Sequence, residues 1–408
     1  MKPYFTTFFL LFLFVFPFSA YAQDSIRFDE SGLESVMQRA KVEKKPIFYM
    51  AYADWCPHCK NIKATTLKDP EVVSFMNANY VFAGLNFEKP GSEDFKTKYN
   101  VKTFPTFLVL DENGQELARF TGELKKDKFL SEVKLALNPK QQLPYLKAEY
   151  EKDKTNGLNL MRYLVALKKG KDRNELNPIA HEYFEKLTDD KIVNEVNWKI
   201  FTNGVSDIAS REYQFVITNQ QAFAAITSQK RVNDKFKNSV MELLKPIVKT
   251  NDVANYKKQR AIAKTINSTM IDSLLFQYDL DHYEFNSNWN EYKKVAAADI
   301  KKYVWNSPKE IKSIVLNVMR NSTDAASLNQ SLSWIKHSNE LEESYDGIVL
   351  EARVHRKLNN IPIAITITKK AKAFSTQMGW DGKEADKLLA DLLERKKIAA
   401  KPAAKTKK

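Results

Sequence analysis

The sequence predicts an α/β domain, with a central mixed sheet flanked by helices, followed by a larger all-α domain. Strand-like and helix-like segments alternate over residues 23–138, and the strand signals almost vanish after Asn138. The chain has 408 residues, of which 43% are hydrophobic and only two are cysteines. This composition excludes a wholly disordered chain and a disulfide-rich scaffold. A multi-pass membrane protein is also excluded, because only one apolar run is long.

That long apolar run lies at the extreme N-terminus. Lys2 precedes an apolar stretch over residues 5–18, and small residues at Ala20 and Ala22 follow it. The order predicts a signal peptide over residues 1–22, cut after Ala22. A retained anchor is the alternative, but the run is short for a spanning helix and contains Pro17. Export predicts a periplasmic location, an oxidising compartment, with no stable membrane span after cleavage.

The elements of residues 23–138 are predicted from hydrophobic periodicity and from local end signals. Asp69 is a predicted N-cap, because Pro70 suits the first position of a helix. The run from Asp111 to Gly114 is typical of a hairpin turn. In order, the predictions are a helix at 30–43, a strand at 47–52, helices that begin at 56 and 70, a strand at 80–87, strands at 107–110 and 116–121, and a helix at 125–137.

Residues 139–394 read as a succession of amphipathic helices separated by short polar segments. They predict either an irregular helical bundle or a repeat-like solenoid. Ala352, Ala364 and Ala371 keep the small-residue spacing of a tetratricopeptide helix pair, which this window resembles. Ile348 and His355 replace aromatic residues of that motif. We expect this helical region to recruit or orient a protein partner.

The last fourteen residues, 395–408, contain seven basic residues and no acidic one. They account for half of the net charge of +14. The composition predicts a solvated, disordered tail, and contact with anionic lipid or nucleic acid is the alternative. Because export separates the chain from nucleic acid, no nucleic-acid partner is predicted.

The most informative residues are Cys56, Pro57, His58 and Cys59, which follow a predicted buried strand. A thiolate is the nucleophile of disulfide exchange, and a helix N-terminus favours the thiolate form of a cysteine. Pro57 suits the first helical position, and His58 can add positive charge beside the thiolate. Cys59 lies one helical turn from Cys56, close enough to resolve a mixed disulfide.

Three other interpretations of this cysteine pair are open. The pair could supply half a zinc site, but the chain has no further cysteine and its other histidines lack ligand spacing. No metal site is therefore predicted. A structural disulfide across two residues would stabilise little. A vestigial motif on a binding domain is the third interpretation.

Residues 52–60 resemble the active site of the thioredoxin superfamily, and Phe104-Pro105-Thr106, 45 residues after Cys59, resembles its cis-proline element. The resemblance covers about residues 26–138. Within the superfamily this region is most similar to the periplasmic thioredoxin-like domain of the transmembrane thiol reductase. The Pro-His dipeptide instead resembles periplasmic disulfide oxidases. The resemblance implies a cis bond at Pro105, which lets an extended substrate pair beside Cys56, with Phe104 and Trp55 as an apolar lip. An ordinary turn proline is the alternative.

Two positions depart from the family pattern. Thioredoxins have a buried aspartate and a partner lysine where this chain has Met50 and Gly84. In the family this pair assists deprotonation of the second cysteine. We therefore expect proton transfer at Cys59 to depend on water, or on Asp54 or Glu88 if either lies near.

The leading hypothesis is an exported thiol–disulfide oxidoreductase, with direction left open. Cys56 attacks, Cys59 resolves, and the Cys56–Cys59 disulfide is the only redox group expected, without a bound cofactor. Its partners would be cysteine-containing proteins and an external redox protein that recycles the pair. The alternative is an envelope protein-interaction module, in which the helical region is functional and the cysteine pair is regulatory or vestigial.

Overall fold

The structure is a computed structural model, and it describes residues 26, 28–170 and 173–399. The predicted signal peptide at 1–22 lies outside these residues, and so does the end of the predicted tail from residue 400. The chain divides into two compact units between Asp207 and Ile208. The boundary predicted at residue 138 therefore falls inside the first unit.

Residues 28–137, hereafter the sheet region, contain a four-stranded mixed sheet with helices around it. The elements in chain order are α1 Leu33–Glu43, β1 Ile47–Tyr52, α2 Pro57–Ala64, α3 Pro70–Asn79, β2 Val81–Asn86, α4 Glu93–Tyr99, β3 Thr106–Leu110, β4 Glu116–Thr121 and α5 Lys126–Ala136. The strands lie in the order β2-β1-β3-β4. β1 is parallel to β2 and antiparallel to β3, and β3 pairs with β4 in antiparallel register.

Helices cover both faces of this sheet. Alternate residues of β1 point to opposite faces, as the pleat of a strand requires. Phe48 and Met50 pack in a core cluster that includes residues of α2, α3 and α5. Ile47 and Tyr49 pack in a second cluster with residues of α1 and α4. All six residues of β1 are buried, so the strand that leads to the cysteines is held from both sides.

The predicted elements agree with the structure except at three places. α1 begins at Leu33 and not at residue 30, because Gly32 has a φ of 102° that no right-handed helix admits. α3 continues to Asn79, and the Asp69 carboxylate caps it by accepting from two backbone N–H groups, as predicted. α4 was not predicted at all. Its seven residues include only Phe95 and Tyr99 as buried apolar side chains, too few for a recognisable pattern.

The described residues after 138 form α-helices and contain no β-strand, which confirms the predicted fold class. Side chains of Asn, Ser and Asp cap many of these helices at their N-termini, which explains the polar punctuation of the sequence. In the first unit the helices are α6 Leu143–Lys152, α7 Gly157–Leu167, α8 Arg173–Glu185 and α9 Glu195–Gly204. In the second they are α10 Arg211–Thr218, α11 Gln220–Ile226, α12 Gln229–Leu244, α13 Val253–Lys264, α14 Thr269–Phe285, α15 Trp289–Tyr303, α16 Pro308–Asn321, α17 Ala325–Leu341, α18 Tyr345–Lys357, α19 Ile361–Met378 and α20 Lys383–Ala399.

Consecutive helices of the second unit contact one another along the chain, as in stacked helical pairs. Ala352 on α18 and Ala364 and Ala371 on α19 are fully buried in one cluster. Small side chains there let the two helices approach closely. These are the alanines on which the tetratricopeptide resemblance depended.

The C-terminal helix corrects one prediction. α20 extends to Ala399, so residues 395–399 are helical and not part of a disordered tail. Arg395 donates to the Asp391 carboxylate four residues earlier, an interaction that stabilises the last turns. Among the described helices, none has both the length and the apolarity to cross a bilayer.

Candidate active site

The two cysteines lie just beyond the C-terminal end of the central strand. β1 ends at Tyr52, and α2 begins at Pro57 with Cys56 as its N-cap. Cys56 has an extended backbone conformation, and Pro57 at the first helical position has no N–H to leave unpaired. The local sequence therefore starts the helix directly after Cys56.

Cys56 is held by two polar contacts. Its Sγ accepts a hydrogen bond from the backbone N–H of Cys59 at 3.3 Å. The same sulfur lies 3.6 Å from the Phe104 carbonyl oxygen, to which its S–H donates. Only 3% of Cys56 is exposed. The N–H at the helix start is the kind of donor that stabilises a thiolate.

Cys59 lies deeper, with 1% of its surface exposed. Burial, together with its hydrogen bond to Cys56, raises the pKa of the Cys59 thiol to about 12. At neutral pH this thiol is therefore protonated. Both cysteines are free thiols in the structure. Both sulfurs are buried, but that of Cys56 caps the helix, whereas that of Cys59 must lose its proton against a raised pKa.

The two positions at which thioredoxins have the aspartate and the lysine are apolar in this chain, and neighbouring side chains fill the space around them. Met50 and Gly84 are register partners on β1 and β2, and Met50 is fully buried in the cluster that contains Cys59. A Cβ on Gly84 would lie 3.2 Å from the Cβ of Phe28 and 3.4 Å from the ring of Tyr52. Those two side chains occupy the space that a lysine side chain would need.

The two carboxylates expected near Cys59 are exposed and bound elsewhere. Asp54 accepts from the Asn86 side chain at 2.7 Å, and Glu88 accepts from the backbone N–H of Asp54 at 2.5 Å. Burial and Cys56 raise the pKa of the Cys59 thiol, and the positive charge of Lys63 opposes them by lowering it. Sequence analysis missed Lys63, although its position four residues after Cys59 on α2 indicates the same helix face.

His58 points to a carboxylate that the sequence analysis did not identify. Its Nδ1 lies 2.9 Å from Oε2 of Glu123, and the Asn61 side chain donates to the other oxygen of that carboxylate. These bonds hold the pKa of Glu123 below its usual range. The neighbouring Gly122 N–H donates to the Pro105 carbonyl, which brings Glu123 to the site from the end of β4.

An apolar lip borders the cysteines. Trp55 is 66% exposed, and its ring meets that of Phe104 edge to face at 6.0 Å. The Phe104–Pro105 peptide bond is cis, and Pro105 is buried. The structure thus brings together, beyond the end of β1, the residues predicted for the site: Trp55, Cys56, Pro57, His58, Cys59, Phe104 and Pro105. No group of three or more metal-ligating side chains is assembled in the described part of the chain.

Comparison with known proteins points to the same region. A family model of the thioredoxin-like domain matches residues 33–137. The thiol:disulfide interchange protein DsbD of Campylobacter jejuni strain RM1221 is 28% identical over 104 residues, which are 25% of this chain and 18% of that protein. DsbD of Haemophilus ducreyi is 31% identical over 111 residues, covering 24% and 19%. The chain therefore spans about a fifth of the length of these curated relatives.

Two solved structures also match part of the chain. The DsbD C-terminal domain of Neisseria meningitidis, in its oxidised form, is 25% identical, and the match covers 24% of this chain and 88% of that one, with a TM-score of 0.23. A Bacteroides thetaiotaomicron structure described as a candidate disulphide-isomerase is 30% identical, with coverage of 28% and 95% and a TM-score of 0.27.

Proposed function

Because residues 33–137 of this chain belong to the thioredoxin-like domain family, we propose that it is a thiol–disulfide oxidoreductase that acts on protein substrates. The observation that carries this proposal is the position of the Cys56 sulfur. It caps a helix, accepts the Cys59 N–H at 3.3 Å and lies 3.6 Å from the Phe104 carbonyl.

In the reducing direction, the Cys56 thiolate attacks one sulfur of a substrate disulfide. A bond forms between Cys56 and that sulfur, and the other substrate sulfur leaves as a thiolate. Cys59 then loses its proton and attacks Cys56, which releases the second substrate thiol. The chain is left with a Cys56–Cys59 disulfide and has given up two electrons. The oxidising direction is the reverse, and no bound cofactor is needed in either.

The test of this proposal is catalysis by the full chain in both directions. We expect it to accelerate the reduction of insulin disulfides by dithiothreitol, or the oxidation of a reduced unfolded protein by glutathione disulfide. If the chain accelerates neither reaction, the proposal is contradicted. The faster of the two reactions also reveals the working direction.

A positive charge beside the Cys56 thiolate stabilises the reduced form and makes a stronger oxidant. The Glu123 carboxylate offsets any such charge on His58, whose side chain is 66% exposed. We therefore infer a potential nearer that of a reductant than the Pro-His dipeptide alone indicates.

Replacing His58 tests this inference. We expect His58→Ala to make the potential of the cysteine pair more negative by no more than about 30 mV, which corresponds to a tenfold change in the exchange equilibrium constant. The measurement is equilibration with glutathione, with His181→Ala, another exposed histidine, as the control. A positive shift, or one well beyond 30 mV, would refute the compensating role of Glu123.

We propose that an extended substrate segment docks against Phe104 and Pro105, with Trp55 as an apolar contact. The Phe104 backbone lies beside the attacking sulfur, and the exposed Trp55 ring flanks it. Such a lip favours unfolded or flexible segments, whose apolar side chains are accessible.

Trp55→Ala separates docking from chemistry. We expect kcat/KM for a reduced or scrambled protein substrate to fall about fivefold, or about 1 kcal/mol, as for removal of an aromatic anchor. The rate with a small aromatic disulfide should stay within about twofold. Trp380→Ala removes another exposed tryptophan and is the control. An equal loss with both substrates would show that Trp55 acts on the cysteines and not on docking.

We also propose that the chain is exported to the periplasm and recycled there by an external redox protein. The signal-like run at 1–22 supports export, and Cys56 and Cys59 are the two cysteines of the chain, so it holds no second pair. The alternative function, a helical protein-interaction module, is favoured by the consecutive helix pairs of the second unit. Under that alternative, a Cys56→Ser chain would keep its partner binding and its role in the cell.

A further inference from the structure

Burial raises the pKa of the Cys59 thiol, and the sheet provides no charged side chain that promotes its ionisation. A hydrogen bond from the Ala53 backbone, just after β1, favours the thiolate but does not outweigh burial. Met50 is apolar, and Phe28 and Tyr52 crowd the position of Gly84. Asp54 accepts from the Asn86 side chain, and Glu88 accepts from the backbone N–H of Asp54. A charged group that assists Cys59 must therefore come from another element.

We propose that Lys63 assists resolution of the mixed disulfide by stabilising the Cys59 thiolate, with its ammonium group held against the Tyr52 ring. Cys59 and Lys63 are four residues apart on α2, so their side chains lie on the same helix face. This inference rests on the proposed function and adds a positioning residue to it.

The position of Lys63 is defined by its neighbours. Its Nζ lies 3.1 Å from the centroid of the Tyr52 ring, a cation–π contact, and the side chain is half-buried. The Tyr52 hydroxyl donates to Glu30 at 2.5 Å, and Lys89 donates to the other oxygen of Glu30 at 2.6 Å. Tyr52 itself packs in the cluster that contains Cys59. The ammonium is thus held against a ring of the cluster that contains Cys59, and it is partly shielded from water.

The charged groups that act on Lys63 come from several elements. Burial is the largest influence, and it lowers the pKa of Lys63, whereas a thiolate at Cys59 raises it. Glu30 precedes α1, Asp54 follows β1, and Lys89 follows β2; the two carboxylates favour the charged lysine, while Lys89 disfavours it. In the step itself, the Cys59 proton passes to solvent, the new S–S bond forms, the substrate thiolate leaves, and Lys63 keeps its charge.

The test uses an aromatic disulfide that releases one coloured thiolate for each attack. In the reduced full chain, Cys56 releases the first, and Cys59 releases the second when it closes the Cys56–Cys59 disulfide. We expect Lys63→Met to slow the second release about tenfold at pH 7 and to move its pH profile up by about one unit, as loss of a nearby opposite charge predicts. The first release should not change. Lys63→Arg, which keeps the charge, should stay within about threefold of the unmodified chain.

The control is Lys68→Met, which removes an exposed lysine just beyond α2 with the same change in net charge. It should alter neither release. An unchanged first release in Lys63→Met shows that the site is intact, so an unchanged second release and pH profile in that variant would overturn the role of Lys63. If the unmodified chain releases fewer than two coloured thiolates, the proposed function itself fails, and this inference fails with it.

Discussion

Cys56→Ser is expected to abolish disulfide exchange, while Cys59→Ser should accumulate mixed disulfides with substrate. The difference follows from the two environments. Cys56 caps the helix beside the Phe104 carbonyl, whereas burial raises the pKa of the Cys59 thiol to about 12. A serine hydroxyl cannot attack a disulfide, so the first variant has no functional nucleophile. The second variant retains the attack but cannot release the bound substrate.

The measurement is capture of disulfide-linked species on a non-reducing gel, together with insulin reduction rates. We expect the Cys56→Ser rate to equal the uncatalysed rate. Ser74→Ala, on the exposed side of α3, is a control that leaves both cysteines in place. If Cys59→Ser forms no adducts while Cys56→Ser does, the roles of the two cysteines are reversed from those argued here.

Phe48→Ala is expected to lower the free energy of unfolding of the sheet region by about 3–5 kcal/mol. Phe48 is fully buried on β1, and its ring stacks on that of Phe107 at 5.4 Å. Four other rings also pack around it, with distances between ring centroids of 5.8 Å for Tyr80, 6.3 Å for Phe82, 6.0 Å for Phe120 and 5.7 Å for Phe129. Truncation would leave a cavity where these rings meet, on one face of the strand that leads to the cysteines.

The unfolding of the sheet region can be followed with Cys59 as a local probe. In a Cys56→Ser background it is the one remaining cysteine of the chain, and it is 1% exposed. Its reactivity toward a thiol reagent in increasing urea therefore reports opening of this region and not of the helices beyond it. Val42→Ala, at a residue that is 83% exposed, should change the free energy by less than about 0.5 kcal/mol. A loss below about 1 kcal/mol in Phe48→Ala would contradict the central packing role of this ring.

The fold of the sheet region was predictable because its strands are short apolar runs with clear end signals. Ile47–Tyr52 is apolar throughout, as expected for a strand buried on both faces, and Asp69 caps the helix that the sequence places there. α4 was not predictable, since its pairing of Phe95 and Tyr99 becomes significant only when both meet the sheet. Pattern analysis detects elements with several periodic apolar residues and misses those with two.

The site was predictable where its residues are close in sequence and not where they are distant. Cys56, Pro57, His58 and Cys59 form one continuous motif. Glu123 lies 65 residues from His58, and the pairing of β3 with β4, together with the bond between Gly122 and Pro105, brings it to the site. No local pattern predicts that contact.

Lys63 is an intermediate case between these two. Its spacing from Cys59 was visible, but its importance depends on the space that Phe28 and Tyr52 fill beside Gly84. That crowding is a tertiary property. The sequence could indicate the absence of the usual charged pair, and only the structure indicates a replacement.

The most direct test of the redox claim is equilibration of the full chain with glutathione buffers, followed by counting of free thiols. We predict one intramolecular Cys56–Cys59 disulfide that forms and opens in a single two-electron transition. Its potential should lie between the values of about −270 mV for thioredoxin and about −120 mV for a strong oxidase, nearer the former because Glu123 binds His58. A pair that never closes, or a chain that only collects glutathione on Cys56, would contradict the proposed function.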